Sequence, residues 1–406
     1  MIGWEYPPNI TGGLGTACQG LAQAMSMLPD VEVTFVLPTH YRGEHEPAVN
    51  FIFLPDSNTS NQVNRSTCIK AESASDWPGT YSGAIIPKVE SYSDRMLALA
   101  ESGNDFDIIH AHDWLTAPAA LRLKELTGKP VILHIHSTEY DRAGSLPDQE
   151  IVRIEQASLN SADFIVAVSR FTKACIIRDY GIEEGKISVV YNACNTDRQL
   201  VNSGYRKKKS GIKIITFLGR ITLQKGPRYF VEAAIVAGKE NHNLQFVLAG
   251  TGDLLVEMKC LVEKSGMLDR FYFPGFLDPD EVNHLLLRSD IYVMPSVSEP
   301  FGISALEAVQ AGVPTILSRQ SGVSEIISNF ELVDFSDVTT IASSILYFAG
   351  SDDAREKLAT GAHKELETIS WNKSAEELRA IYANCHARRT GGTFLLIDKR
   401  ESCQFG

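Results

Sequence analysis

No stretch of this chain holds the ~18 consecutive apolar residues that a membrane-spanning helix needs, so no span is expected. Met1 runs straight into Gly-Trp-Glu-Tyr-Pro-Pro-Asn, which has neither the charged n-region nor the apolar h-region of a secretory leader. Basic charge is short as well. Thirty-eight Lys and Arg stand against 50 Asp and Glu, a formal net charge of -12, which argues against nucleic acid as a partner because phosphate backbones require a basic face. The one basic run, Arg206-Lys207-Lys208-Lys209, reads as a solvated linker. The seven cysteines (Cys18, Cys68, Cys175, Cys194, Cys260, Cys385 and Cys403) are scattered and never spaced as CxxC. A disulfide framework or a structural zinc motif is therefore not expected, and a reducing, cytoplasmic compartment suits them. The histidines include His110-x-His112 and His134-x-His136, each in a strand-like run that puts both rings on one face. Two such pairs without a recognisable third ligand do not define a metal site.

Short apolar runs alternate with amphipathic helical stretches along most of the 406 residues. Val31–Pro38, Asp107–His112, Val131–His136, Asp163–Ser169 and Ile187–Asn192 read as strands. After the basic run the alternation restarts with Lys213–Gly219, Leu244–Gly250, Phe271–Phe276, Asp290–Ser296 and Val313–Ser318. Continuous rather than alternating apolar character means burial on both faces, hence parallel sheets covered by helices. Two series separated near Gly204–Gly211 imply an α/β protein of two doubly wound, Rossmann-like domains facing across a cleft, with ligands beyond the carboxyl ends of the strands. Residues 44–91 are polar and poorly periodic, and read as an irregular insertion with one or two short strands.

Three strand ends carry the chemistry. The first runs into Gly12-Gly13-Leu14-Gly15 and a helical pattern from Thr16, a tight turn that would also let a phosphate approach backbone N–H groups. It is not GxGxxG, no acidic residue ends the next strand, and GxxxxGK[ST] is missing, so neither a dinucleotide fingerprint nor a P-loop is present. In the second half, Arg220 ends one strand and Lys225 precedes a helix, a planar fork and a point charge suited to a pyrophosphate. The most specific segment is Ser298-Glu299-Pro300-Phe301-Gly302-Ile303-Ser304-Ala305-Leu306-Glu307, two acids flanking a Pro-x-Gly turn where a strand enters a helix.

These residues resemble the family-4 retaining glycosyltransferases of the GT-B fold and the related glycogen and starch synthases. The resemblance covers nearly all of residues 2–386 and takes in the Gly12-Gly13 loop and His110-Ala111-His112-Asp113-Trp114. It continues through His136-Ser137-Thr138-Glu139, Ser169-Arg170-Phe171-Thr172 and Val190-Tyr191-Asn192 to Arg220, Lys225-Gly226, Gly250-Thr251-Gly252-Asp253 and the Glu299/Glu307 pair. It implies an N-terminal acceptor-side domain over 1–205 and a nucleotide-sugar-binding domain over 206–370. A terminal helix over 371–388, opened by Trp371-Asn372-Lys373-Ser374, would return to the first domain, and 389–406 would be a disordered tail.

By the same resemblance, Arg220, Lys225, Gly12 and Gly13 would meet the donor phosphates. Glu307 would bind the ribose, and Gly302, Ile303, Ser304 and Asn192 would complete the donor site. Glu299 would lie against the transferred sugar, positioning it rather than attacking it, with His136 near the sugar's C6 side and Asp113 binding sugar or acceptor. The implied activity moves a hexose, glucose first, from UDP- or ADP-glucose to a glycan acceptor without a metal or other cofactor. Cell-surface polysaccharide or glycolipid synthesis, with peripheral membrane contact, is the alternative within the class. A non-catalytic glycan- or nucleotide-binding protein is the alternative outside it. Ile10-Thr11 precede the glycine pair where bacterial ADP-glucose synthases carry Lys-x-Gly-Gly, and Glu307 supplies an acid those enzymes commonly lack; both weaken the case for ADP-glucose. The first strand would have only Met1–Glu5 to draw on, shorter than the family's, which suggests a start further upstream.

Overall fold

A computed structural model describes residues 1–8, 10, 12–39, 48–54, 85–103, 105–194 and 211–390. The first half runs α1 (Gly13–Ser26), β1 (Val33–Leu37), β2 (Val49–Phe53), α2 (Ile86–Asp94), α3 (Met96–Glu101), β3 (Ile109–His112), α4 (Asp113–Thr127), β4 (Val131–Ile135), α5 (Glu139–Ala143), α6 (Gln149–Ser161), β5 (Phe164–Ala167), α7 (Arg170–Tyr180) and β6 (Ile187–Val189). The second half runs β7 (Lys213–Leu218), α8 (Pro227–Glu240), β8 (Leu244–Ala249), α9 (Leu255–Lys264), β9 (Phe271–Gly275), α10 (Pro279–Arg288), β10 (Ile291–Met294), α11 (Ile303–Gln310), β11 (Thr315–Ser318), β12 (Glu331–Val333), α12 (Val338–Gly350), α13 (Asp352–Leu366) and α14 (Trp371–Thr390).

Among the described residues all strand pairings are parallel, as the unbroken apolar runs require. The second sheet has the order β12-β11-β10-β7-β8-β9. The chain winds outward from β7 in one direction and from β10 in the other, so the switch point lies between these two strands, where an open α/β sheet leaves a crevice at its carboxyl edge.

In the first half, β1-β2 and β3-β4-β5-β6 are joined by the N-terminus itself. Ile2 bridges Val36 on one side and Ala111 on the other. Its N–H donates to His110 O at 2.7 Å, Val36 N–H donates to Met1 O at 2.8 Å and Gly3 N–H to Val36 O at 3.0 Å. Three residues thus hold the central place expected of a first strand, and the Gly12-Gly13 loop leaves from that place.

Several boundaries differ from the sequence expectation. The helix after the glycine pair starts at Gly13 rather than Thr16, because Gly12 already serves as its N-cap residue. The end of the 44–91 region is helical, since Ile86, Val89 and Tyr92 recur at helical spacing and are buried. The three-residue edge strand β12 was not anticipated; Glu331-Leu332-Val333 is too short for a pattern to show. The terminal helix extends to Thr390, two residues beyond the boundary expected at 388, while 391–406 and the inter-domain boundary near 205 lie outside the described residues. Helix α14 packs on α1, where a Cβ on Gly20 would fall 2.2 Å from the Trp371 ring, and beyond the end of α1 Arg379 pairs with Asp30 at 2.6 Å. Among the described residues no helix is long and apolar enough to cross a membrane.

Candidate active site

The glycine loop of the first half meets α11 of the second. A Cβ placed on Gly13 would lie 3.8 Å from Ile303 Cδ1, so the Gly12-Gly13 turn adjoins the Gly302-Ile303-Ser304 start of α11. Gly302 has φ 112°, a conformation glycine adopts without strain, and caps the N-terminus of α11. Aligned peptide dipoles make the N-termini of α1 and α11 partly positive. Ser304 Oγ accepts from Tyr292 Oη at 2.9 Å, which ties α11 to β10.

Arg220 and Lys225 leave the carboxyl end of β7. Arg220 Nη2 donates to Gln224 Oε1 at 3.1 Å. Gly226, with φ 64°, follows Lys225, and a Cβ there would lie 2.0 Å from Pro295 O, so only glycine lets this loop close on the end of β10. That closure brings Lys225 Nζ to 2.8 and 2.6 Å from the two carboxylate oxygens of Glu299. Ser296 Oγ donates to the same carboxylate at 3.0 Å, and Glu299 is buried. The cation expected at the diphosphate and the acid expected at the sugar therefore form one ion pair.

Glu307 stands one turn into α11, half-buried, and burial pushes its carboxyl up to about 7. Asn192 is buried just after β6, and Cys194 beside it feels the Glu307 charge.

On the first half, Asp113 follows β3 in a left-handed conformation, φ 58°. Its Oδ1 accepts from the backbone N–H of His136 at 2.6 Å and of Ser137 at 3.3 Å. Burial raises this carboxyl to about 7 against the opposing pull of those N–H groups and of Arg142. Asp113 thus fixes the loop that carries His136, whose imidazole burial holds down to about 3 and hence neutral. His136 Nε2 lies 3.0 Å from His112 Nδ1.

Contacts between the halves were not legible beforehand. Glu325 accepts from the Arg170 and Phe171 N–H groups at 2.8 and 2.7 Å and from Tyr191 Oη at 2.9 Å. Ser169 Oγ and Thr172 Oγ1 both donate to Pro300 O, at 2.6 and 3.2 Å, next to Glu299. Ser298 Oγ donates to Asp141 Oδ1 at 2.6 Å. Nearby, the mostly covered Arg142 pairs with Glu139 and Glu155, at 3.1 and 2.7 Å. The Ser169-Arg170-Phe171-Thr172 run was a signal, but its acceptors lie more than a hundred residues away in sequence.

Comparison with known proteins gives this geometry a lineage. Residues 11–198 match the family model Glycosyltransferase Family 4, and residues 203–365 match Glycosyl transferases group 1. The uncharacterized glycosyltransferase MJ1607 of Methanocaldococcus jannaschii is 30% identical over 400 residues, covering 94% of this chain and 97% of its own. The chain belongs to the family-4 glycosyltransferases. A glycogen synthase of Mycobacterium tuberculosis is 26% identical over 403 residues, 94% of this chain and 93% of its own. Among solved structures, a sucrose-phosphate synthase from Thermosynechococcus elongatus superposes with TM-score 0.74 at 19% identity, covering 95% and 99% of the two chains. Anabaena HepE, solved in complex with UDP-glucose, gives 0.67 at 16% identity over 94% and 99%. These likenesses make the fold GT-B.

Proposed function

We propose that this family-4 glycosyltransferase moves a hexose, glucose first, from a nucleotide-diphosphate sugar to a glycan acceptor with retention of anomeric configuration, in the manner of a glycogen synthase. The observation that supports the reading is the Lys225–Glu299 ion pair at the switch point of the second sheet, with Arg220 earlier on the same loop and the Gly13 turn against Ile303 at the start of α11. The anomeric C–O bond to the diphosphate breaks and negative charge grows on the leaving phosphate. Fixed cations and helix N-termini aimed at that charge lower the barrier without a catalytic metal ion. Arg220 and Lys225 hold the diphosphate, with Gly12, Gly13, Gly302, Ile303 and Ser304 offering backbone donors around it. Glu307 accepts from the ribose hydroxyls, and Asn192 lines the same side.

Glu299, kept beside Lys225, positions the hexose, while neutral His136 and the Asp113 carboxyl face sugar or acceptor. A glucose donor is favoured by likeness to the glycogen synthase and to a UDP-glucose-bound structure, and UDP is preferred over ADP because of Ile10-Thr11 and Glu307. The setting is cytoplasmic.

The test is a donor-by-acceptor screen with the purified chain, reading release of the nucleoside diphosphate. Fastest turnover with UDP-glucose and an α-glucan is the expected result. Preference for a lipid or cell-surface acceptor would replace the acceptor assignment. Donor binding without turnover on any acceptor would make the protein a binding module and overturn the proposal.

A further inference from the structure

The two histidine pairs that looked incomplete in the sequence are brought together by the first sheet. Residues i and i+2 of a strand point to one face. The β3–β4 register sets His112 opposite His134, with His110 opposite Ile132. Three imidazoles therefore crowd one face of the sheet, with ring centroids 4.6 Å (His110–His112), 5.6 Å (His112–His134) and 5.3 Å (His110–His134) apart. All three side chains are buried. One nitrogen from each lies within 4.8 Å of the others.

Their hydrogen bonding is one-sided. His110 Nδ1 contacts Tyr382 Oη at 2.6 Å and His112 Nδ1 contacts His136 Nε2 at 3.0 Å. The Nε2 atoms of both rings, and both nitrogens of His134, are buried with no hydrogen-bond partner among the described residues. Buried polar atoms are rarely left this way singly, and an occupant that takes one nitrogen from each of the three rings would satisfy His110 Nε2, His112 Nε2 and one nitrogen of His134. A histidine that binds a metal typically gives its second nitrogen to an outer partner, which fixes ring and tautomer while the free lone pair faces the ion. His110 and His112 have that arrangement, with Tyr382 and His136 as the outer partners.

We infer that His110, His112 and His134 form a buried site for one divalent transition-metal ion of the zinc class. Zn–N bonds of about 2.0–2.1 Å, arranged tetrahedrally, put ring centres about 5 Å apart, and the three separations bracket that value. Neutral imidazole donors without thiolate select Zn, Co, Ni or Cu over Mg or Ca. Small rotations of the rings about their side-chain torsions bring the three lone pairs onto one centre, and the fourth position is left for a small ligand. Such an ion would tie the carboxyl end of β3 to that of β4, the two strands from which Asp113 and His136 emerge. It would also orient His112, and through it the His136 ring. The role is structural: the ion would hold the strands and the His136 ring without itself touching the donor.

The test uses the full chain, grown in medium supplemented with zinc or cobalt, or in chelator-treated medium, then dialysed natively against EDTA. Elemental analysis should find one ion retained per chain. The cobalt form should show the visible d–d bands of a tetrahedral site, and the metal-grown protein should melt higher than the metal-free one. His134→Asn should abolish retention. Should that variant fail to fold, Tyr382→Phe keeps the shape of its ring, removes the hydroxyl that holds His110, and should weaken retention about 10- to 100-fold. Wild-type protein that retains no ion and melts identically in both preparations would overturn the inference, with ordered water as the occupant. Equal retention in both variants would overturn it as well, placing the ion elsewhere.

Discussion

Lys225 and Glu299 form a bidentate ion pair, 2.8 and 2.6 Å, between the loop after β7 and the turn after β10, spanning the switch point of the second sheet. Side-chain exposure is 20% for the lysine and 5% for the glutamate, so removing the cation leaves a nearly buried carboxylate with, among the described residues, the Ser296 hydroxyl to support it. Breaking a buried pair from one side costs about 3 kcal/mol or more. Lys225→Met is therefore expected to lower the melting temperature as well as turnover. Lys225→Met combined with Glu299→Gln should recover much of the stability and none of the turnover. Thermal melts of the single and double variants check this, and a wild-type melting temperature for Lys225→Met alone would refute it.

Arg220→Ala separates binding charge from folding more cleanly, because the residue is only half-buried just past a strand end. Loss of a cation facing a growing phosphate charge is worth on the order of 3 kcal/mol, or 10²-fold or more in turnover. Circular dichroism should show a folded protein. Near-normal turnover would remove Arg220 from the diphosphate.

Glu307 gives a pH signature. Its carboxyl, raised by burial from an ordinary 4.5 to about 7, is largely protonated at pH 6 and largely ionised at pH 8. A carboxylate that accepts from ribose hydroxyls should make nucleoside-diphosphate binding tighten across that interval by up to about an order of magnitude. The same shift costs folding stability as pH rises from 4.5 towards 7, since the folded state holds the proton more firmly than the unfolded chain. Glu307→Gln should flatten the binding profile. Calorimetry at pH 6 and pH 8 decides, and an unchanged slope in the variant would dismiss the ribose role.

Initial rates should be unaffected by EDTA added to the assay. Charge neutralisation at the diphosphate is assigned to Arg220, Lys225 and two helix N-termini, and an ion among the buried histidines would be out of a chelator's reach within minutes. Loss of rate in EDTA, restored by magnesium or manganese, would contradict this charge arrangement.

The return of α14 onto α1 rests on a missing side chain. A Cβ at Gly20 would come within 2.2 Å of the buried Trp371 ring, which would have to move. Gly20→Ala gains about 1 kcal/mol of helix propensity but overpacks this contact at a cost of about 1–3 kcal/mol. A lower melting temperature is expected, and Gly20→Ala with Trp371→Phe should restore it. A more stable single variant would show that the two helices pack loosely.

Local sequence fixed much of this protein. Buried β-branched runs dictated parallel strands, because no other element buries both faces over so few residues. The loops at their carboxyl ends were legible as candidates for the chemistry: Gly12-Gly13, Arg220 with Lys225, and Glu299 with Glu307 around a Pro-x-Gly turn. The tertiary structure alone decided who meets whom. Strand order is set by crossovers dozens of residues long, so nothing near Lys225 announces Glu299, nothing near Arg170 announces Glu325, and nothing in either His-x-His pair announces the other. One short element escaped for a related reason: β12 offers no periodicity and exists because the neighbouring strand leaves N–H and C=O groups that need partners.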